Sequence, residues 1–384
     1  MTIQVTKPSV NLREKLNELE TNKGLKGNEI LQAETAQEVR SLIGAGRKNL
    51  IINGDMRVAQ RGTSFTNPAS GAYILDRWRA GIHTTAADGN YTQEADAPTA
   101  AEAGTNFVNC LKFTCTTIDT STTATNRYYT RMHLEGQDIA HAGFGQAGVR
   151  YVTLSFWHKH TKTGTHSFGI QSGANNRHYA AEYTQTTSNT WEKATTTLPV
   201  DTTGTWATDT NTGLILYFAT YLGANYQGTA NTWEAGQGYG TANQVNNVDS
   251  TSNSMRFTGV QLELGSVATD FEHRSYGEEL ALCQRYYQRG ISNGALGVSV
   301  HSTQATFGFR LPVEMRSEPT VSLISGTTLS CDMTHISGAV TWTPTEFRFK
   351  SKSGFTGYGA INSYGALGNP IEPKVDNIQA DAEL

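Results

Sequence analysis

Residues 49–63, with the sequence NLIINGDMRVAQRGT, mark where a large β domain begins. Apolar residues alternate with polar ones on both sides of Asn53 and Gly54, which is the two-residue period of a β-strand. Asn and Gly tolerate the positive φ that a sharp bend requires. The segment is therefore predicted to be a bent strand that opens a β-sandwich.

The strand predicted to lie beside it is far downstream, at residues 257–265 (FTGVQLELG). The apolar positions of this second segment slip by one residue at Gly259. A β-bulge at that glycine would produce such a slip. The opening and closing strands together predict one sandwich over residues 49–275.

The composition is typical of β structure. The 384 residues include 38 glycines, 16 tyrosines and 14 phenylalanines, and only 17% are charged. Strands separated by polar turns have this profile, whereas helical bundles need more Ala, Leu, Glu and Lys. The formal net charge is −4 and no stripe of Lys and Arg is present. A nucleic-acid partner is therefore disfavoured.

The sequence also predicts no membrane insertion. No apolar run approaches the roughly 20 residues that a membrane span needs. The first residues have neither the basic nor the apolar region of a signal peptide, so secretion by that route is not expected.

The segments flanking the sandwich differ from it in kind. Residues 1–48 carry capping-box signals such as Thr35 with Glu38 and predict two short helices. Isolated helices below about 12–15 residues are marginal in water, so these must pack on the β domain, on symmetry mates or on another protein. Downstream, residues 276–290 predict a connecting helix and residues 291–384 a smaller C-terminal β module.

The side chains that catalysis or metal binding would use are scattered. No two carboxylates form a recognisable pair on one strand, so the chain is predicted not to be an enzyme and no catalytic residue is assigned. His158 and His160 share a strand face, but no third ligand is near in sequence, and hydrogen-bonded histidines are the preferred interpretation. At Asn53 to Asp55 a turn is preferred over a calcium site. No metal or cofactor is predicted.

Aromatic residues are the candidate ligand-binding groups, because sugars stack their C–H faces on exposed rings. Residues 225–254 form a long, polar, glycine-rich segment, and a connection of this length is uncommon unless it is functional or packed against a neighbour. Trp233 and Tyr239 in this segment, together with Trp157 on a predicted strand, are the tentative glycan-binding residues. For each of them the alternative is packing in the core.

Five motifs occur in a fixed order along the chain: NLIINGD (49–55), RVAQRG (57–62), LDRW (75–78), FTGVQLELG (257–265) and EELALCQRYY (278–287). Together they resemble motifs of tailed-bacteriophage fibre proteins and related virion structural proteins. The resemblance covers residues 47–290, and motifs that occur together in order are more specific than any one of them.

The resemblance implies a jelly-roll sandwich similar to that of carbohydrate-binding modules. It also implies a homotrimer, docking on other virion proteins through residues 1–48, and a distal surface that faces the host. We therefore expect a structural virion protein, assembled in the host cytoplasm: a tail fibre or fibre-like protein that contacts host-surface glycans. The alternatives are a purely architectural capsid-decorating or baseplate protein and, less favoured, a polysaccharide depolymerase.

Overall fold

Strands form most of the regular secondary structure in the described residues, as the composition predicts. The computed structural model describes residues 48–83, 87–120, 123–291, 296–301, 303–324, 326, 329–333, 340–361, 370–373 and 377–384. The two helices predicted in residues 1–48 fall on positions outside the described residues. No helix in the described ranges is long and apolar enough to cross a membrane.

Two six-stranded antiparallel sheets form the predicted sandwich. Sheet A contains, in spatial order, β1 (Ser64–Phe65), β3 (Asp88–Glu94), β4 (Cys110–Thr117), β12 (Ser254–Leu264), β6 (Tyr151–His160) and β9 (Glu192–Pro199). Sheet B contains β11 (Thr232–Ala235), β8 (Arg177–Gln185), β7 (Gly164–Ser172), β10 (Thr212–Leu222), β5 (Arg127–Glu135) and β2 (Trp78–His83). Two one-turn helices, α1 (Ala100–Ala103) and α2 (Gly136–Ile139), lie between strands.

Aromatic side chains from both sheets fill the space between them. Phe218 of sheet B stacks on Phe257 of sheet A with ring centroids 4.4 Å apart, and Phe156 meets Phe218 edge-on at 4.9 Å. Trp78 is fully buried and also stacks on Phe218. Burial of apolar surface contributes about 25 cal/mol per Å², so these large rings supply much of the sandwich's stability.

The prediction of a bent strand at residues 49–63 is wrong, because this segment does not form a regular strand. Asn53 and Met56 have φ angles of 57° and 60°, outside the extended range, and the Met56 amide donates to the Asn53 carbonyl in a tight turn. The predicted neighbour is nevertheless right. The Leu50 amide donates to the Leu262 carbonyl at 2.9 Å, and the Val260 amide to the Gly54 carbonyl at 2.9 Å.

The turn in this segment is closed by its own side chains. The Asn53 side-chain oxygen accepts from the Val58 amide, and its Nδ2 donates to the Val58 and Asp76 carbonyls. The Asp55 carboxylate forms an ion pair with Arg57. The Asn and Asp side chains thus stabilise the turn, which explains the Asn-Gly-Asp sequence without a bound ion.

The bulge predicted in β12 is present at Gly259. Its φ is 60°, and the register with β6 shifts between Thr258 and Gln261. A Cβ at this position would lie 2.8 Å from the Phe107 ring. Glycine is therefore required both by the backbone conformation and by the ring beside it.

The connecting helix is shorter than the predicted residues 276–290. Helix α3 spans Tyr276–Gln284, and its N-cap Ser275 accepts from the Glu278 amide. It is followed by a strand, β13 (Tyr287–Arg289), because those residues pair with the end of the chain. The buried Cys283 and Tyr286 pack on Ile52 and Val58 of the opening segment.

Residues after this helix form the smaller β module. A three-stranded sheet contains β13, β21 (Ile378–Asp381) and β16 (Thr320–Leu323). A closed barrel contains β14 (Leu296–His301), β15 (Gln304–Arg310), β19 (Gly354–Ile361), β18 (Val340–Ser351), β17 (Leu329–Met333) and β20 (Pro370–Pro373). Phe307 and Trp342, with ring centroids 4.6 Å apart, lie in its core.

The C-terminal residues return to the sandwich and are held there by buried charges. Glu383 forms ion pairs with Arg77 and Arg61, and the side chains of Arg77 and Glu383 are 1% and 3% exposed. The Arg77 guanidinium also lies 3.4 Å from the centre of the Tyr286 ring. The Tyr73 hydroxyl donates to the Leu384 carbonyl at 2.7 Å.

Candidate functional site

Trp233, the first predicted aromatic residue, lies on the edge strand β11 and takes part in packing. Its ring is partly buried among Tyr179, Trp206 and Phe144, with centroids 5.3, 5.7 and 6.2 Å away. Its indole Nε1 donates to the Pro199 carbonyl at 2.7 Å. These contacts hold β11 against the rest of the sandwich. Trp233 therefore has the packing role that the sequence offered as the alternative to glycan binding.

Tyr239 lies on the opposite face of sheet B. It is 5% exposed and stacks on Tyr217 at 4.3 Å and on Tyr226 at 5.2 Å. Trp233 is paired across the sheet with Tyr179, a core residue, so the two predicted residues point to different sides. The structure therefore does not bring Trp233 and Tyr239 together.

Trp157 belongs to the other sheet. It follows the core residue Phe156 on β6, so it points away from the core. It is partly buried beside the bulge, and a Cβ at Gly259 would lie 3.1 Å from its ring. The three predicted residues thus lie on three separate surfaces.

The long segment that carries Trp233 and Tyr239 instead builds an open cavity at the edge of sheet B. Its volume is about 450 Å³, within the range of small-molecule sites. Two limbs of the segment are joined by backbone hydrogen bonds, from the Gly228 amide to the Gly240 carbonyl and from the Tyr239 amide to the Tyr226 carbonyl. We call this space the loop cavity; its polar lining residues are Glu182, Gln227, Thr229, Glu234, Thr241 and Asn243.

Two carboxylates define the electrostatics of the loop cavity. Both Glu234 oxygens accept from Thr229, one from the backbone amide at 2.8 Å and one from the hydroxyl at 2.9 Å. The Thr229 amide is the main cause of a lowered pKa at Glu234, so this group is charged at neutral pH. The second carboxylate, Glu182, accepts from the side-chain amide of Asn243 at 3.0 Å.

Thr241 belongs to the lining, but its hydroxyl is buried. The residue is 2% exposed, and its hydroxyl has no hydrogen-bond partner among the described residues. Leaving a buried polar group unpaired costs about 1–3 kcal/mol, so such a hydroxyl is unusual. The carboxylates and amides of the lining suit a ligand rich in hydroxyl groups.

The sequence indicates this segment but not these residues, because aromatic rings were the predicted ligand-binding groups and the cavity is lined by polar side chains. The Thr, Asn and Gln residues that crowd the glycine-rich segment were the available signal. The contribution of Glu182 was not accessible, because it reaches the cavity from β8, a strand far away in sequence.

The histidines that suggested a metal clip form a buried cluster instead. His160 lies 5.1 Å from His158 and 4.4 Å from His166, measured between ring centroids. Gln185 bonds the His158 ring at 2.9 Å, and the Tyr183 hydroxyl bonds that of His160 at 3.1 Å. Burial lowers the pKa of His158 and His160, and that of His166 to about 4.

Neutral imidazoles can bind metals, but this cluster lacks a suitable arrangement. Within the described ranges, no three His, Cys, Asp or Glu side chains are placed to hold a metal ion. The cysteines Cys110, Cys115 and Cys283 are buried and free. The histidine cluster therefore acts as part of the core between the sheets.

Comparison with known proteins identifies no family. No protein-family model matches the chain, and no curated protein matches it. Several solved structures are similar to the chain at a low level. The enzymatically active domain of tailspike protein 4 from bacteriophage CBA120 is 14% identical with a TM-score of 0.29, over 56% of this chain and 21% of that chain.

Two sugar-binding structures are similar at the same level. A putative sugar binding protein from Bacteroides thetaiotaomicron is 9% identical with a TM-score of 0.32, over 57% of this chain and all of that chain. The module TmCBM61, solved with β-1,4-galactotriose, is 10% identical with a TM-score of 0.27, over 58% of this chain and all of that chain. Similarity this low says nothing about what the chain binds.

Proposed function

We propose that this chain is a non-enzymatic structural protein of a bacteriophage virion, a trimeric tail fibre or fibre-like protein that binds host-surface glycans through the loop cavity. The loop cavity is the observation that carries the proposal. Its volume suits a small saccharide, and its lining offers carboxylate and amide groups that can bond sugar hydroxyls. The virion origin rests on the sequence motifs alone.

The charge state of Glu234 suits a binding role. A glycosidase needs one carboxylic acid whose pKa is raised so that it can protonate the leaving group. The pKa of Glu234 is lowered, mainly by the Thr229 amide, so this carboxylate does not suit the role of that acid. Glu234 thus acts as a permanent hydrogen-bond acceptor, suited to holding a ligand in place.

In the assembled particle, residues 1–48 attach the chain to other virion proteins and the sandwich presents the loop cavity to the host. The protein is assembled in the host cytoplasm with the rest of the virion. Sedimentation equilibrium tests the trimer: three chains of 41.7 kDa each are expected to sediment together. A monomer at micromolar concentration would contradict the fibre assignment.

A glycan microarray of bacterial surface polysaccharides and neutral oligosaccharides tests the binding function. Asn243→Ala and Glu182→Gln change the cavity lining and are expected to weaken any wild-type signal about tenfold, since each removes one or two hydrogen bonds to the ligand. Gln146→Ala, which removes an exposed amide outside the cavity, is the matched control and should leave binding unchanged.

The outcomes separate the candidate functions. Absence of binding to the whole array, with a trimer intact, would favour the architectural alternative, which the packing of Trp233 and Tyr239 also fits. Release of reducing sugar from a bound polysaccharide would contradict the non-enzymatic assignment and indicate a depolymerase.

A further inference from the structure

The outer face of sheet B carries a group of tyrosines that the loop cavity does not use. Tyr129 of β5 lies edge-on to Tyr217 of β10 at 5.0 Å and to Tyr239 at 5.4 Å, and Tyr226 stacks on Tyr239. We call these four residues the tyrosine cluster. None of them lines the loop cavity.

A glycine on the neighbouring strand makes room for this cluster. Gly81 of β2 is paired with Tyr129, and a Cβ at Gly81 would lie 2.0 Å from the Tyr129 ring. The ring therefore lies flat over β2 instead of standing out from the sheet. The tyrosine cluster is therefore a closely packed aromatic floor to the outer face, with Tyr129, Tyr217 and Tyr239 buried within it.

Two arginines lie over this floor. The Arg127 guanidinium is 4.4 Å from the centre of the Tyr226 ring, and that of Arg131 is 5.5 Å from the centre of the Tyr129 ring. Such cation–π contacts hold a guanidinium in place while its edge remains able to bind oxygen atoms in a bidentate manner.

Neither arginine has a carboxylate partner. Within the described residues, Arg127 and Arg131 form no ion pair, and the Nε of each is buried without a hydrogen-bond partner. Their remaining contacts are neutral: Arg127 bonds the His83 ring at 3.4 Å, and Arg131 contacts the Tyr217 hydroxyl.

The other charged group on this face does not neutralise them. Arg79, paired with Arg131 across the strands, adds a third positive charge; it donates to the Gly71 carbonyl and to the main-chain oxygen of Leu384, the final residue of the sequence. His83 stays neutral because burial lowers its pKa and the charges of Arg127 and Arg131 lower it further. A protein with a formal net charge of −4 therefore carries a locally positive face.

We infer that this face is a second binding site, for a saccharide that carries repeated carboxylate groups. Arg127 and Arg131 are four residues apart on one strand, which places their backbones about 13 Å apart with Tyr129 between them. Two separated guanidinium groups, neither of which has a carboxylate partner among the described residues, suit an extended chain of repeated carboxylates better than a single small ion.

Single-stranded nucleic acid also combines negative charge with planar groups, but this face does not suit it. Bases bind by stacking on exposed rings. Tyr129, Tyr217 and Tyr239 are 2%, 1% and 5% exposed, so their faces are covered. Arg127 and Arg131 are partly exposed, so this face offers a ligand charge pairing with its anionic groups and no open ring on which a base could stack.

Calorimetric titration with tetragalacturonate tests the inference, with its fully methyl-esterified form as the uncharged control. Binding of the acidic form is expected, and loss of its carboxylate charges should weaken affinity about tenfold or more, because hydrogen bonds to charged groups are stronger than those between neutral groups.

Variants separate this site from the loop cavity. Arg131→Gln and Arg127→Gln should each weaken acidic-sugar binding about tenfold, and Arg131→Lys should restore only part of it, since lysine lacks the bidentate fork. Arg310→Gln, at an exposed arginine of the C-terminal barrel, removes the same charge and should have no effect. Thermal unfolding of each variant shows whether it is folded.

The inference does not depend on the proposed function, because Asn243→Ala in the loop cavity should leave acidic-sugar binding unchanged. It is overturned if folded wild-type protein binds no acidic sugar, if methyl esterification has no effect, or if folded Arg127 and Arg131 variants bind as the wild type does. Equal binding of a single-stranded oligodeoxynucleotide would also overturn it.

Discussion

Acidification is expected to destabilise the sandwich through the histidine cluster, and His166 allows the effect to be worked out. Its ring is 1% exposed, bonds the Lys162 carbonyl at 3.0 Å and lies against His160. Burial lowers its pKa from the ordinary 6.5 to about 4. The folded state therefore resists protonation in a pH range where the unfolded chain accepts a proton.

The sign and magnitude follow from proton linkage. Between pH 6.5 and about 4 the unfolded state binds more protons at His166, so the free energy of unfolding falls as the pH falls. Since one pH unit corresponds to about 1.4 kcal/mol, His166 alone accounts for a loss of about 3 kcal/mol across this window. Below about pH 4 the folded state is protonated too, and the contribution of His166 stops changing.

Urea unfolding of the wild type and of His166→Gln at several pH values between 4 and 7 measures this effect. As the pH falls from 7 to 4, the wild type should lose about 2–3 kcal/mol more of its unfolding free energy than His166→Gln does. Any fixed cost of the substitution cancels in this comparison. The exposed His141→Gln is the control and should follow the wild type at every pH. A wild-type-minus-H166Q difference independent of pH would refute the reasoning.

Two further changes test the packing. Glu383→Gln removes one charge of the buried pair with Arg77, and we expect it to lower the free energy of unfolding by about 3 kcal/mol. The control Glu346→Gln, in an exposed ion pair, should lower it by less than about 1 kcal/mol, and equal losses in chemical denaturation would contradict the buried role of Glu383. Gly81→Ala would place a Cβ 2.0 Å from the Tyr129 ring, so we expect it to lower the free energy of unfolding by about 1–3 kcal/mol and to change the near-ultraviolet circular dichroism spectrum. An unchanged spectrum and stability would show that the ring does not lie over β2.

The sandwich was predictable because its strands alternate. β6 turns Val152, Leu154 and Phe156 inward, and the break in alternation at Gly259 identifies a bulge that the structure contains. Both signals are local and depend on the two-residue period of a strand.

The opening segment was predicted with the right neighbour and the wrong conformation. Its apolar residues are buried against β12, as alternation indicates, but the positive φ angles at Asn53 and Met56 rule out a strand. Burial produces the same sequence pattern in a turn that is packed on a sheet as in a strand. The end of the connecting helix was missed for a related reason, since β13 forms only by pairing with residues 379–381.

The candidate site was predictable as a segment but not as a set of residues. Length and glycine content pointed to residues 225–254, which do build the loop cavity. The choice of Trp233, Tyr239 and Trp157 depended on exposure, and exposure is set by contacts distant in sequence. Trp233 meets Phe144 and Tyr239 meets Tyr217, and no local pattern indicates either contact.

The central claim is that the loop cavity binds a glycan, and side-chain amide resonances of the labelled protein test it most directly. During titration with the oligosaccharide that binds best on the microarray, the amides of Gln227 and Asn243 should shift and saturate together while that of Gln146 stays in place. Saturable binding that leaves the Gln227 and Asn243 resonances unmoved would contradict the claim.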